Sequence, residues 1–322
     1  MLTAGVDIGG TKVFAALVDE AGGVHERVTH PTDPGAGTAS VLQALDQLLG
    51  GLAPGRLPAA IGIAAAALVE YPSGRIEYAP NLFFEVADLP GAVRNRAGIA
   101  TIVENDANAA VWAERQFGSA TGADEVLMLA VGTGIGGGVV IGGELFRGHL
   151  GFAAELGHVT LMEGGPQCAC GERGCLEALA SGTAIGRMAR EGIAAAPDSI
   201  VLELAGGSAS RISGALVSEA AHAGDEFAAG ILARAGHWLG VGLTALVNAF
   251  DPELIVIGGG GAGAGWFLVE PAKEELRRRL SGRRPIPPVV TATLGNDAGA
   301  VGAASLARLR LLGPHRSAGG NR

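Results

Sequence analysis

Positive charge is scarce in this sequence, and the scarcity excludes one class of partner. The 322 residues include 23 Lys and Arg against 32 Asp and Glu, which gives a formal net charge of −9. No run of basic residues occurs along the chain. Proteins that bind nucleic acid through its phosphates carry clustered Lys and Arg. We therefore expect no nucleic-acid partner.

Signals for export and for membrane insertion are also lacking. The start, MLTAGVDIGG, has no positively charged n-region, so we expect no secretory signal and a cytoplasmic protein. The stretch 126–143 is uncharged and long enough to resemble a membrane span, but seven of its residues are Gly. We interpret it as two short buried strands around a glycine turn, and we expect no membrane partner.

Cysteine is rare, and all three cysteines lie in one segment that also contains a histidine, His158. An odd count argues against a disulfide framework, and Cys168 and Cys170 are too close in sequence for an unstrained bridge. A packed histidine with three buried thiols is one alternative. We favour a zinc site in which His158, Cys168, Cys170 and Cys175 are the four ligands. Such a closed site would have a structural role and would fix the Gly-rich loop 164–174.

Alternating and periodic apolar patterns predict an α/β chain. The predicted elements are strands at 3–8, 13–18, 61–69 and 99–103, helices at about 38–50 and 107–117, and a long helical region at 213–250. A Ser or Thr is expected to cap the first helix. The segment 80–90 is predicted to be a loop that exposes Asn81. His222 and His237 are interpreted as surface or core histidines.

Two segments share one arrangement, in which a strand is followed by a glycine turn and a second strand. One reads Val6-Asp7-Ile8-Gly9-Gly10-Thr11, and the other reads Val131-Gly132-Thr133-Gly134. Glycine turns expose backbone N–H groups that can bind phosphate, although most glycine hairpins bind nothing. The repetition indicates an internal duplication. We therefore predict two homologous lobes, each presenting a phosphate-binding hairpin to a cleft between them.

A third glycine cluster follows a predicted strand at 253–265. It would place further N–H groups near a nucleotide. It matches neither the dinucleotide-binding fingerprint nor the Walker pattern, because no Gly-Lys-Ser/Thr occurs.

Asn105 and Asp106 lie where a predicted strand meets a predicted helix. Helix capping is the ordinary role of Asn and Asp at this position. Two successive polar residues leave one spare carboxylate, which gains a chemical role only if a phosphate site faces it.

The motifs DIGGTK, ENDAN, GTGIGGG, ELGH and CACGERGCLE, in this order, resemble the ROK family of sugar kinases, and in particular its bacterial glucokinases. The resemblance covers about residues 3–306. It implies a duplicated two-lobe fold of the actin/hexokinase-like (ribonuclease H-like) α/β class. It also implies ATP with Mg²⁺ and transfer of the γ-phosphoryl group to the 6-hydroxyl of a hexose, with glucose the expected substrate, in carbohydrate metabolism and glycolysis.

The resemblance also implies a domain organisation. The N-terminal lobe would span 1–117, with a final helix near 298–311 packing back on it. The C-terminal lobe would span 118–297 and contain the zinc loop and the third glycine cluster. The tail 313–322 is expected to be disordered. We expect a homodimer or homotetramer.

Site residues transfer from the family by position. Asp106 would be the catalytic base. The sugar would be bound by Asn81, Asn105, Asp106, Glu155, His158 and Glu177, with His158 also serving the zinc. The nucleotide and magnesium side would comprise Asp7, Gly9, Gly10, Thr11, Lys12, Gly132, Thr133, Gly134, Gly258, Gly259, Gly260 and Gly261.

The chain departs from the family pattern in two places. The loop 64–74 reads AAAALVEYPSG in place of a Pro-Gly and acidic stretch, and Phe83 and Phe84 follow Asn81 where many relatives have a Trp. Alternative substrates are therefore another hexose or an N-acetylhexosamine, with polyphosphate as an alternative donor. A non-enzymatic sugar sensor is a further alternative, since the family contains repressors. Repressors carry a DNA-binding domain before the DIGGT hairpin, so this reading is less favoured.

Overall fold

The computed structural model describes residues 1–53 and 56–313. The chain divides into two compact units. Unit 1 comprises Met1–Phe117, Arg147–Phe152 and the described residues from Asp297 onward, and unit 2 comprises Gly118–Phe146 and Ala153–Asn296. Apart from Gly313, the tail predicted to be disordered lies outside the described residues.

The described residues form both strands and helices. The strands are β1 (Thr3–Ile8), β2 (Lys12–Val18), β3 (Val24–Pro31), β4 (Ile61–Ala65), β5 (Leu68–Val69), β6 (Ile76–Tyr78), β7 (Thr101–Asn105), β8 (Val126–Val131), β9 (Ile135–Ile141), β10 (Glu144–Leu145), β11 (Leu254–Gly258) and β12 (Val289–Thr291). The helices are α1 (Gly37–Gly50), α2 (Leu89–Ala97), α3 (Asp106–Phe117), α4 (Leu176–Ala180), α5 (Gly182–Gly192), α6 (Val201–Leu204), α7 (Gly214–His222), α8 (Glu226–Phe250), α9 (Trp266–Leu280) and α10 (Ala298–Leu311).

Unit 1 contains a five-stranded sheet in the order β3-β2-β1-β4-β7. The hairpins β1/β2 and β2/β3 are antiparallel, whereas β4 and β7 add in parallel. The strand predicted at 61–69 is shorter than expected, because β4 ends at Ala65 and the Ala67 N–H donates to the Ala65 carbonyl at 2.8 Å. Leu68 and Val69 form β5, which pairs with β6 in a separate hairpin.

Unit 2 contains a sheet with the same arrangement, in the order β10-β9-β8-β11-β12. β8/β9 is again an antiparallel hairpin, and β11 again adds in parallel. The apolar stretch 126–143 therefore forms two strands around a glycine turn, as predicted. The predicted internal duplication is visible in the matching order and direction of the strands.

Apolar side chains fill a separate core in each unit. In unit 1 the core includes Val6, Ile63 and Leu89, and in unit 2 it includes Leu129 and Leu239. Burial is nearly continuous along β1 and β4, which explains their near-continuous apolar sequence, since strands covered on both faces lack a polar side.

α8 is long and apolar enough to meet the length and composition criteria for a membrane span. Half of its most apolar window is buried inside the protein, and core helices pass the same criteria. The predicted helical region 213–250 is interrupted at 223–225, where the Asp225 carboxylate accepts from the Ala228 N–H at 2.8 Å and caps α8. His222 and His237 are both exposed, as one of the two interpretations held.

α10 packs closely on the sheet of unit 1. Cβ atoms placed at Gly5 and Gly62 would meet the backbone carbonyls of Ala300 and Ala303, so the two glycines permit this approach. Trp112 Nε1 of α3 donates to Ser305 Oγ of α10 at 3.3 Å. The helix therefore covers the strands that carry the first glycine turn.

The expected Ser or Thr cap of α1 is wrong. Ala36 precedes the helix and provides no side-chain cap. The carboxylate of Glu85 accepts instead from the N–H groups of Thr38 at 2.7 Å and Ala39 at 3.3 Å. Orphan N–H groups at a helix start need acceptors, and here a distant loop residue provides them.

Candidate active site

The β7–α3 turn consists of Asn105 and Asp106, and their two side chains have different roles. Asn105 Oδ1 accepts from the Asn108 N–H at 3.0 Å, and Asn105 Nδ2 donates to the Ala67 carbonyl at 3.3 Å. Asn105 is thus the residue that caps α3. The Asp106 carboxylate accepts from the adjacent Ala107 N–H at 2.8 Å. One carboxylate is left with capacity to accept a proton from a bound hydroxyl.

Asp7, near the end of β1, and Asp106 both have raised pKa values. Burial is the main cause that raises the pKa of Asp106. Burial, followed by the negative charge of Asp106, raises the pKa of Asp7 to about 7, while Lys12 acts in the opposite direction. A buried carboxylate whose pKa is raised further by a second carboxylate belongs to a site whose charge a cation would neutralise, and oxygen ligands are those that Mg²⁺ prefers.

The first glycine turn is held by its neighbours. The Gly9 N–H donates to the Lys12 carbonyl at 3.0 Å, and Thr32 Oγ1 donates to the Gly9 carbonyl at 2.8 Å. Gly10, Thr11 and Lys12 are exposed. An ordered turn of exposed residues that includes a Lys side chain has the chemistry of an anion site.

The second glycine turn is held by the start of α5. The Gly182 N–H donates to the Gly132 carbonyl at 2.8 Å, and Thr183 Oγ1 donates to the Thr133 carbonyl at 2.8 Å. Sequence reasoning missed Gly182 and Thr183. The Ser-Gly-Thr at 181–183, placed before a helix, was the available signal.

A cavity of about 550 Å³ adjoins this turn within unit 2. Thr133 and Gly260 both line it, so the second and third glycine clusters meet at one cavity. Ile185, Ile212 and Leu232 provide an apolar side. A mostly apolar cavity edged by exposed N–H and hydroxyl groups can hold a planar base with its phosphates at the polar edge.

The third glycine cluster contributes in two ways. Gly258 is the buried last residue of β11, and Gly259 has a φ of +78°, which glycine adopts without strain. Gly260 and Gly261 begin a 3-10 helix, Gly260–Ala264. Gly258 therefore packs in the sheet, whereas the turn after it directs the chain to the cavity.

The four predicted zinc ligands lie together. One potential ligand atom from each of His158, Cys168, Cys170 and Cys175 lies within 4.8 Å of all the others. Cys170 Sγ is 3.8 Å from Cys175 Sγ, and Cys168 Sγ is 3.6 Å from His158 Nδ1. A tetrahedral ion with ordinary Zn–S and Zn–N bonds requires S···S edges of about 3.8 Å and S···N edges of about 3.6 Å. The donor set therefore fits Zn²⁺ in number and type, and these two edges fit it in length.

Burial affects the protonation of the cluster. The three cysteines are free thiols, and burial raises the pKa of Cys168 to about 12. A buried neutral thiol becomes a strong ligand only when a cation displaces its proton. Zinc binding at this cluster would therefore release protons.

Two predicted sugar ligands adjoin the cluster. His158 directs Nδ1 at Cys168, and its Nε2 is 3.9 Å from Glu155 Oε2. Glu177 Oε1 lies 3.5 Å from Cys168 Sγ, while its Oε2 accepts from the Ile135 N–H at 2.9 Å. The cluster, Glu155, His158, Glu177 and the second glycine turn thus form one connected group in unit 2.

Asn81 is exposed in the loop between β6 and α2. A missed feature is the ion pair between Glu104 Oε2 and Arg147 Nε, at 2.7 Å. The sequence signal for it was a glutamate within an otherwise apolar strand, but its partner is 43 residues away.

Comparison with known proteins identifies the family. A model of the ROK family matches residues 3–310. The chain belongs to the ROK family. The predicted family and fold class are thereby confirmed, since solved ROK structures share the fold over nearly the whole chain.

This ROK protein is similar to proteins named glucokinase. The one from Streptomyces coelicolor is 40% identical over 313 residues, which cover 95% of this chain and 98% of that protein. The one from Thermotoga maritima is 37% identical over 316 residues, which cover 96% and 98%. A crystal structure of a ROK family glucokinase from Streptomyces griseus, in complex with glucose and AMPPNP, has a TM-score of 0.86 at 40% identity and covers 96% of this chain and 99% of that chain.

Proposed function

We propose that this ROK protein is an ATP-dependent glucokinase, a phosphotransferase that acts on the 6-hydroxyl of glucose. The observation that carries the proposal is the Asp106 carboxylate, which remains available because Asn105 caps α3. The similarity to glucokinases over nearly the whole chain supports the substrate class.

Asp106 acts as the general base in this proposal. It accepts the proton of the 6-hydroxyl while that oxygen forms a bond to the γ-phosphorus and the bond from phosphorus to the β,γ-bridging oxygen breaks. The products are the sugar 6-phosphate and ADP. Phosphoryl transfer asks the protein mainly for positioning and charge neutralisation, and a general base is typically worth about 10²–10⁴ in rate.

In this proposal, one set of residues binds the nucleotide and another binds the sugar. The nucleotide is bound by the two glycine turns and by the cavity beside Thr133, with Lys12 as a further phosphate ligand. Mg²⁺ bound with ATP neutralises phosphate charge, and Asp7 is the residue that would hold it. The sugar hydroxyls are bound by Asn81, Asn105, Glu155, His158 and Glu177, whose oxygen and nitrogen atoms suit a neutral polyol.

Zinc has a structural role in this proposal. His158, Cys168, Cys170 and Cys175 would supply all four ligands and leave no position for a substrate. The bound ion would hold His158 and the start of α4, which carries Glu177, in fixed positions. Cytoplasmic residence and assembly into a homodimer or homotetramer stay predictions.

A coupled assay for ADP release tests the function. ATP and Mg²⁺ are supplied with glucose, mannose, fructose or N-acetylated hexosamines, and polyphosphate replaces ATP in a parallel series. Preferred turnover of glucose with ATP is the expected result. Preference for another sugar or for polyphosphate would replace the glucokinase assignment by the corresponding kinase. Saturable sugar binding without any turnover would favour the sugar-sensor alternative and leave Asp106 without a catalytic role.

A further inference from the structure

A buried ion pair adjoins the β7–α3 turn within unit 1. The side chains of Glu104 and Arg147 are only 5% and 14% exposed. Glu104 Oε2 accepts from Arg147 Nε at 2.7 Å, and Glu104 Oε1 accepts from the Asn105 N–H at 3.2 Å and from Asn108 Nδ2 at 3.1 Å. One carboxylate therefore connects Arg147 to the backbone of Asn105 and to the first turn of α3.

Arg147 also contacts an aromatic ring, in addition to Glu104. Its guanidinium lies over the ring of Tyr71, 4.6 Å from the centroid, and the guanidinium of Arg310 lies 4.7 Å from the same centroid. Arg310 Nη2 also donates to the Pro72 carbonyl at 3.0 Å. Guanidinium groups this close to an aromatic ring are attracted to it, most strongly where water is displaced.

The backbone around Arg147 is seated on the same loop. The Tyr71 N–H donates to the Leu150 carbonyl at 2.9 Å. Gly151 has a φ of +98°, and a Cβ there would lie 2.7 Å from the Tyr71 nitrogen. The segment Arg147–Phe152 therefore has a fixed position on loop 64–74, the loop that departs from the family pattern.

Loop 64–74 supports the β7–α3 turn by a second route as well. Its Ala67 carbonyl accepts from Asn105 Nδ2 at 3.3 Å. The turn is thus fixed at the Asn105 side chain by Ala67 and at the Asn105 backbone by Glu104.

We propose that Arg147 is a positioning residue for the phosphoryl transfer: through Glu104 it fixes the β7–α3 turn, and Tyr71 of loop 64–74 holds Arg147 in place. This inference rests on the proposed function for its kinetic consequence. Catalysis by a base depends on its placement, and a misplacement of about 1 Å can cost on the order of 10²-fold in rate. Lys cannot replace Arg147, because it lacks both the planar fork and the stacking face.

Kinetics of four variants test the proposal. Arg147→Lys and Glu104→Gln are expected to lower kcat at least fivefold while the KM for ATP changes less than threefold. Tyr71→Leu is expected to do the same, and Tyr71→Phe, which keeps the ring, is expected to retain kcat within twofold. The control is Arg96→Lys, which alters the exposed ion pair of Arg96 with Asp46 in the same unit.

The outcomes separate positioning from general stabilisation. A kcat that falls less than fivefold in Arg147→Lys and Glu104→Gln overturns the proposal, as does equal loss in Tyr71→Leu and Tyr71→Phe. If Arg147→Lys and Glu104→Gln unfold below the assay temperature, the comparison of Tyr71→Leu with Tyr71→Phe, at a partly exposed residue, decides alone.

Crystal structures give a readout that does not need turnover. Compared with the wild type, Arg147→Lys is expected to show a displaced β7–α3 turn. An unchanged turn overturns the positioning role even in an active kinase. A displaced turn in a protein that phosphorylates no sugar would uphold the positioning role and refute the proposed function.

Discussion

At the β7–α3 turn, two neighbouring polar residues have different roles. Asn105 binds the backbone on both sides, through Asn108 and Ala67, whereas Asp106 bonds only locally among the described contacts. The distinction could be predicted in part from sequence, since Asn and Asp in succession exceed what one helix cap needs. The sequence could not show which of the two side chains stays available, because the Ala67 carbonyl that binds Asn105 is 38 residues away.

Substitution of Asp106 by Asn is expected to lower kcat by at least about 10²-fold, the lower range for a general base, with sugar affinity within about tenfold. The amide keeps the shape of the side chain but cannot accept the proton. ADP release measures kcat, and calorimetric titration with glucose measures affinity. Asp46→Asn, at an exposed carboxylate of the same unit, is the control. Near-normal turnover in Asp106→Asn would refute the base assignment.

Substitution of Gly134 by Ala is expected to raise the KM for glucose at least tenfold. A Cβ at Gly134 would meet the Glu177 carboxylate, which would have to leave the Ile135 N–H. Gly132→Ala is the matched comparison, because a Cβ there meets no atom within 4 Å. Steady-state kinetics with varied glucose provide the measurement. An equal effect of both variants on the glucose KM would contradict the placement of Glu177.

At the scale of elements, the cysteine loop connects metal binding to the sugar side. Cys175 directly precedes α4, which carries Glu177, so a ligand and a sugar residue share one short segment. The sequence predicted this cluster because its ligands are local. The link from Glu177 to β9 was not predictable, since the pairing spans 42 residues.

Substitution of Cys170 by Ser is expected to remove the zinc and to weaken glucose binding at least tenfold. Loss of one of four ligands opens the tetrahedral site and releases the loop. Metal content is measured by plasma mass spectrometry and affinity by calorimetry. Glu172→Gln, at an exposed residue of the same loop, is the control. Full zinc content with unchanged affinity would show that Cys170 is not a ligand.

Substitution of Gly62 by Ala is expected to lower the free energy of unfolding by about 1–3 kcal/mol, the usual cost of overpacking. The added methyl would push the Ala303 carbonyl and separate α10 from β4. Urea denaturation gives the free energy. Gly50→Ala, where a Cβ meets nothing within 4 Å, is expected to leave stability unchanged or slightly raised. Equal stability of both variants would contradict the close packing of α10.

On the scale of the whole molecule, duplication was the most accessible feature of the sequence. The repeated glycine turns predicted two equivalent hairpins, and the two sheets have the same strand order. Contacts made by irregular segments were not accessible in this way. Glu85 caps α1 from a loop 47 residues away, and no local pattern marks such a partner. The periodicity of apolar residues predicts helices and strands, whereas a hydrogen bond between distant residues produces no periodic pattern in the sequence.

Global stability is expected to depend on pH through Glu275 of α9. Hydrogen bonds from Arg278, with further contributions from Arg279 and His237, lower the pKa of Glu275 from 4.5 to about 2. Because the folded pKa is depressed, this stabilisation is complete above about pH 4.5 and is lost as the pH falls towards 2. We expect about 1–2 kcal/mol at pH 7, after screening at the exposed Arg278.

Urea denaturation of Glu275→Gln and the wild type, at several pH values between 7 and 3, checks this prediction. The difference in unfolding free energy should shrink below about pH 4.5. Glu274→Gln, at the exposed neighbouring residue, should show no such difference. A difference that is constant across the range would mean that Glu275 acts through packing.

The division of unit 1 into three stretches of chain sets an order of events during synthesis. β1, β2 and β4 emerge early from the ribosome, whereas α10 (Ala298–Leu311) is the last of the described elements to be synthesised. Until then, no α10 covers the face that carries Gly5 and Gly62. Unit 2 is complete in the nascent chain before that helix emerges. The unit whose synthesis begins first therefore cannot complete its fold until its last helix has been synthesised. A chain terminated before α10 leaves apolar strands open to aggregation.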